Sequence, residues 1–152
     1  MILRNLAVST TMSAFFLLAA TAMPAPAAAQ QPTSTLTITF DGIAAPTGAI
    51  MIALFDSEAA HDKGGKPVRG GMVSITGVTA QFQVPGLSPG RYAIKVYHDI
   101  NGNGQMDSNP FGIPTEPFAF SNNALPQGGP ATWAQASFEV GAGAATTAIT
   151  IR

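Results

Sequence analysis

The 152-residue chain has no cysteine, a single tryptophan, two histidines and a charged fraction of only 10%. Without thiols there is no disulfide, no thiolate metal ligand, no cysteine nucleophile and no attachment point for a lipid. Stability must then come from packing, with or without a bound ion. Two histidines far apart in sequence, His61 and His98, argue against a dedicated zinc centre. Seven Lys/Arg stand against eight Asp/Glu with no basic run, which leaves no face for nucleic acid or an anionic membrane surface. There is no Gly-x-Ser-x-Gly elbow, Walker loop or dinucleotide fingerprint, and no long amphipathic helical pattern.

What is there begins with Arg4, the only charge ahead of an apolar and small-residue run from Leu6 to Ala22. Pro24, Pro26 and then Ala27-Ala28-Ala29-Gln30 follow, so residues 1–29 read as a signal peptide cleaved after Ala29. The run is broken by Ser9, Thr10, Thr11 and Ser13, unlike a retained anchor, and no second hydrophobic span follows it. The expectation is a periplasmic or secreted protein whose residues 30–152 form one domain with no membrane span. That length suffices for a core without staples.

Leu36, Ile38 and Phe40 alternate with threonines, the period-two signature of a half-buried strand. From Gly48 to Phe55, Ile50, Ile52 and Leu54 share one face, while Ala49, Met51 and Ala53 make the other unusually apolar, as in a central strand. Residues 56–71 read as a loop with one helical turn at Ser57–Ala60, and a weaker strand is placed at Met72–Ile75. A strand through Ala80, Phe82 and Val84 leads to the Pro89-Gly90 turn. The next strand directs Tyr92, Ile94, Val96 and His98 one way and Arg91, Lys95 and Tyr97 the other. Further strands are expected at Ala134–Val140 and Thr146–Ile151. The prediction is an all-β fold: one antiparallel β-sandwich, immunoglobulin-like or prealbumin-like, of about seven strands.

Asp99 to Trp133 is one long connection, and loops of that length in compact domains are commonly functional. Its first part puts Asp99, Asn101, Asn103 and Asp107 at positions 1, 3, 5 and 9 of a Ca²⁺-loop pattern, with Gly104 at position 6 and the Gln105 carbonyl at position 7. Alternate oxygen donors converge on a hard cation, and the glycine permits the turn. Position 12 is Pro110 instead of a bidentate glutamate, so Glu116 is the candidate replacement. The competing reading is an ion-free turn, because Asx side chains hydrogen-bond their own backbone. His98 reads as a capping histidine at the sandwich edge, and His61-Asp62 as solvated surface. Phe111, Phe118, Phe120 and Trp133 either pin the loop or stack on a ligand, and Phe120-Ser121-Asn122-Asn123 is dense in hydrogen-bonding groups.

The segment from His98 through Asn101, Asp107, Gly112 and Glu116 to Phe120-Ser121-Asn122-Asn123 resembles the signature of a family of exported bacterial proteins known as a domain of unknown function. The resemblance runs from about Thr35 to the C-terminus and implies a secreted or periplasmic β-sandwich. Gly86-Leu87-x-Pro89-Gly90-x-Tyr92 also resembles the turn and strand of prealbumin-like and collagen-adhesin B-type sandwiches. Those are mostly structural or binding modules, some of them stabilised by Ca²⁺.

The leading expectation is a non-catalytic binding or structural module of the cell envelope. It has a Ca²⁺-loop-like segment and His98, Phe120, Ser121, Asn122 and Asn123 as ligand contacts, with an envelope protein, a glycan or a small molecule as partner. An envelope hydrolase would instead need His98 to converge with Asp99, Asp107 or Glu116 in a cleft. A small-molecule or sugar carrier would need an apolar pocket between loop and sandwich.

Overall fold

The computed structural model describes residues 33–152, so the predicted leader and its cleavage point lie outside the described residues. Among the described residues, eight strands form two sheets. The smaller contains β4 (Ala80–Leu87), β1 (Ser34–Asp41) and β8 (Gly143–Thr150) in that order. The larger runs β3 (Arg69–Ser74), β2 (Ala49–Phe55), β5 (Gly90–Asp99), β6 (Phe118–Phe120), and β7 (Phe138–Val140) also pairs with β5.

The period-two patterns set which face is buried. Leu36, Ile38 and Phe40 of β1, Ile50 and Leu54 of β2, Ile94 of β5 and Ile149 of β8 are completely buried in one cluster shared by both sheets. Burying each such side chain stabilises by about 1.5–3 kcal/mol relative to exposure.

Two expectations are corrected. The sheets are not wholly antiparallel: β8 runs parallel to β1 in register from Ser34–Gly143 to Asp41–Thr150. Residue pattern along a strand carries its faces but not its direction relative to a distant partner. Residues 134–140 are not one strand either. They divide into a helical turn, α2 (Trp133–Ala136), and the three-residue β7. Thr132 and Gln135 form a capping box, each satisfying the other's backbone, which starts a helix where alternation alone reads as a strand.

The larger sheet is covered on its outer face at one end. Ala93 of β5 points outward yet is fully buried, together with Phe120, Ala131 and Ala136, and Trp133 packs against them. The short helix α1 (Glu58–Asp62) lies at the same end. Its His61 is fully buried, edge-on to Phe55 at 5.3 Å and to Trp133 at 6.1 Å. The reading of His61 as solvated surface is therefore overturned. A five-residue helix packs its one ring under the 131–137 segment, a contact set by residues some seventy positions away.

Candidate functional site

The outer face of the larger sheet carries side chains in rows across β2, β5 and β6. Ala53 is paired with Lys95 and Lys95 with Phe120; next to them Met51 is paired with Tyr97 and Tyr97 with Phe118. The face is covered at Ala93 but opens beyond it. A groove of about 800 Å³ lies there, floored by Ala53, Lys95, Tyr97, Phe118 and Phe120. Met106, Ile113 and Pro114 and, further along the same connection, Pro126, Gly128, Gly129 and Pro130 complete its lining. The alanine at 53 makes room at the β2 edge of the floor, where a larger side chain would intrude on the groove. The unusually apolar second face of β2 was the sequence signal for a covered outer surface, whereas Lys95 and Tyr97 as groove residues had no local signal.

Lys95 is the one charged residue in the lining. Its Nζ donates to the His61 carbonyl at 2.5 Å and lies 5.3 Å from the Phe55 ring centroid. Burial lowers its pKa from the ordinary lysine value, against a weaker opposing pull from Asp62. The Tyr97 hydroxyl donates to the Gly104 carbonyl at 3.0 Å and ties the groove to the acidic loop. Burial raises the Tyr97 pKa, and the charges of Asp99 and Glu116 add to that rise.

The acidic loop is held by side chains that accept backbone hydrogens. Buried Asp99 takes Gly102 N–H at 2.8 Å and Asn103 N–H at 3.1 Å on Oδ1, and Gly104 N–H at 2.8 Å on Oδ2. Asn101 Oδ1 accepts Asn103 N–H and Asn103 Oδ1 accepts Gln105 N–H, two successive Asx turns. Their amides donate to the two oxygens of Asp107 at 2.6 and 3.0 Å. Buried Glu116 closes the loop from behind, taking Ile100 N–H and Asp107 N–H on its two oxygens. Of the predicted metal set, Asp99, Asn101, Asn103, Asp107 and Glu116 are tied into this hydrogen-bonded loop, Gln105 joins it only through its N–H, and each of the three carboxylates is engaged by N–H donors. Among the described residues, no group of three or more His, Cys, Asp or Glu side chains is gathered as a metal cluster would require.

The residues expected to contact a ligand mostly contact the protein itself. His98 is buried, with Nε2 donating to the Thr47 carbonyl at 2.7 Å and Nδ1 unpartnered. The Ser121 hydroxyl accepts Ile94 N–H and donates to the Ala136 carbonyl, so it bridges β5 and α2. Asn122, with φ of 59°, donates to the Ser137 carbonyl, and Asn123 accepts Thr150 N–H. Only Phe120 of this group lines the large groove; Asn123 borders a smaller cleft of about 110 Å³ beside Arg152. Phe111 is 88% exposed, and Trp133 belongs to the packed end of the sheet.

His61 Nδ1 donates to Asp62 Oδ1 at 2.6 Å, and the same oxygen accepts Trp133 N–H at 2.8 Å, while Nε2 has no partner. Burial lowers the His61 pKa below its ordinary 6.5 despite the pull of Asp62 in the other direction. Such a group binds fewer protons folded than unfolded, so stability is complete above 6.5 and is lost as pH falls below it. Asp62, lowered chiefly by its bond to His61, acts in the same sense further into acid. The unfolding midpoint is expected to drop as pH falls below about 6.5, with a shallower drop in His61→Gln. A midpoint rising between neutrality and mild acid would overturn this assignment.

No curated protein and no solved structure matches the chain. A family model does match, over residues 38–148, a span that takes in both sheets, the acidic loop and the groove floor. The chain belongs to DUF2141, a family of uncharacterized proteins conserved in bacteria.

Proposed function

We propose that the chain is a non-catalytic binding module of an exported bacterial protein, with the groove on the larger sheet as its ligand seat. The observation that carries this is the groove itself: strand-floored, loop-walled and apolar, with a few polar groups at fixed positions. Its volume falls in the range of about 300–1,000 Å³ usual for small-molecule sites. The export reading rests on the leader-like composition of residues 1–29, and the two sheets around one core support a β-sandwich. The hydrolase alternative has less support. His98 is closed off on Thr47, and the three carboxylates are engaged in ordering the loop.

Titration with the uncharged fluorophore N-phenyl-1-naphthylamine tests the groove. Saturable binding with enhanced emission is expected, weakened roughly tenfold or more by Ala53→Trp, which projects a large ring into the groove from its β2 edge. Absent saturation, or a variant that binds like wild type, would sink the reading.

For the acidic loop we propose order by hydrogen bonding, with Ca²⁺ dispensable, because its carboxylates already accept N–H groups. The unfolding midpoint should then be the same in EDTA and in millimolar Ca²⁺, since only an ion bound by the folded state raises it. A Ca²⁺-dependent rise that Asp107→Ala removes would make the loop an ion site instead.

A further inference from the structure

The groove holds one cation and no anion. Of its lining residues only Lys95 is charged, and the side-chain polar groups there reduce to the Lys95 ammonium and the Tyr97 hydroxyl. That hydroxyl donates to Gly104, so it is committed to the protein. An ammonium has three N–H donors. The protein takes one, on the His61 carbonyl. Among the described residues no carboxylate forms an ion pair with Lys95: Asp62, near enough to act on it through its charge, is held by His61 and by Trp133 N–H. Burial of this ammonium outweighs the pull of Asp62, and a ligand anion in its vicinity offsets that cost.

Resting on the binding role proposed above, we infer that the groove takes a free amphiphile with an apolar body and a single carboxylate, an acyl chain being the plainest case, its charge placed on Lys95. The chemistry of the lining separates this from the alternatives. A glycan presents many hydroxyls, and the lining has almost no side-chain groups to meet them. A phosphomonoester carries up to about two negative charges on three acceptor oxygens. Such a group calls for further cations, and the lining has no arginine and no second lysine. One lysine in the lining of an apolar trough, its ammonium using one of three N–H groups on the protein, matches one carboxylate. The body of the ligand then lies against Phe118, Phe120, Met106 and Ile113, all of them along the same groove.

The test compares cis-parinaric acid with its methyl ester, which differ in charge and little else, titrated into the full chain in the form in which it accumulates, below the concentration at which either aggregates. Binding is read by energy transfer from Trp133, the only tryptophan. The acid should bind at least about tenfold more tightly than the ester. Lys95→Met should abolish the preference for the acid over the ester, and Lys95→Arg should keep it. If Lys95→Met does not fold, the comparison is made on wild type by displacing bound parinarate with decanoate and decanol, and decanoate should prevail. Acid and ester binding equally well to wild type would overturn the inference while leaving the groove as a binding site. Binding of neither acid, ester nor N-phenyl-1-naphthylamine would overturn both.

Discussion

Gly48→Ala is expected to cost about 3 kcal/mol or more, a large share of the roughly 5–15 kcal/mol that holds a domain of this size. Gly48 has φ of +72°, in the left-handed region that side chains avoid. An added Cβ would overlap the Asp99 carbonyl oxygen and lie 2.9 Å from Ile100 Cα. Both obstacles are backbone, so no side chain can swing aside to make room. Relief would require pulling β2 away from the end of β5, where Ala49 pairs with Asp99 and where Gly48 itself accepts the Ile75 N–H. Gly86→Ala is the matched control, because Gly86 has the same φ of +72° with open space around it. It should cost only the conformational penalty, on the order of 1 kcal/mol. Chemical denaturation of the two variants measures the difference, and equal losses would show that the close approach of Gly48 to Asp99 does not exist.

Asp99→Ala is expected to be the most damaging change in the acidic loop, at about 3 kcal/mol. Asp99 is 2% exposed and accepts three backbone N–H groups, so truncation leaves all three without their charged acceptor. Asp99→Asn retains one carbonyl oxygen and should lose about half as much. The effect extends to the groove: Gly104, whose N–H binds Asp99, accepts the Tyr97 hydroxyl through its carbonyl, and Met106 follows two residues on. Amide exchange in Gly102, Asn103 and Gly104 should therefore accelerate in Asp99→Ala, and affinity for an apolar probe should fall with it. A stability loss below about 0.5 kcal/mol, the size of an ordinary surface change, would contradict the role given to this carboxylate.

Much of this was legible in the chain because strands write their burial into a two-residue period. The buried rows Leu36–Ile38–Phe40 and Ile50–Ile52–Leu54 and the inward His98 follow from local pattern, whereas Gly90, read as part of the turn, is the first residue of β5. The Asx turns of the acidic loop were legible for the same reason, since Asn101 and Asn103 bond to backbone two residues on. What eluded local reading depends on distant residues. His61 is buried by Trp133, α2 starts where Thr132 and Gln135 cap each other, and the groove exists because three segments meet over β5. Lys95 on an outward-facing row looks like a solvated lysine until β6 and the proline-bearing loops are set beside it.

The pairing of the first strand with the last has a consequence for how the molecule comes into being. β1 occupies the middle of its sheet, and one of its two neighbours, β8, is separated from it by more than a hundred residues, as in the Ser34 hydroxyl bond to the Gly143 carbonyl. Closing so long a loop is entropically costly and slows folding. Until β8 docks, β1 has one edge satisfied by β4 and the other open. The smaller sheet is therefore completed by its most distant pairing, so this half of the core closes late and the open edge of β1 is the part of the folding chain most exposed to wrong partners.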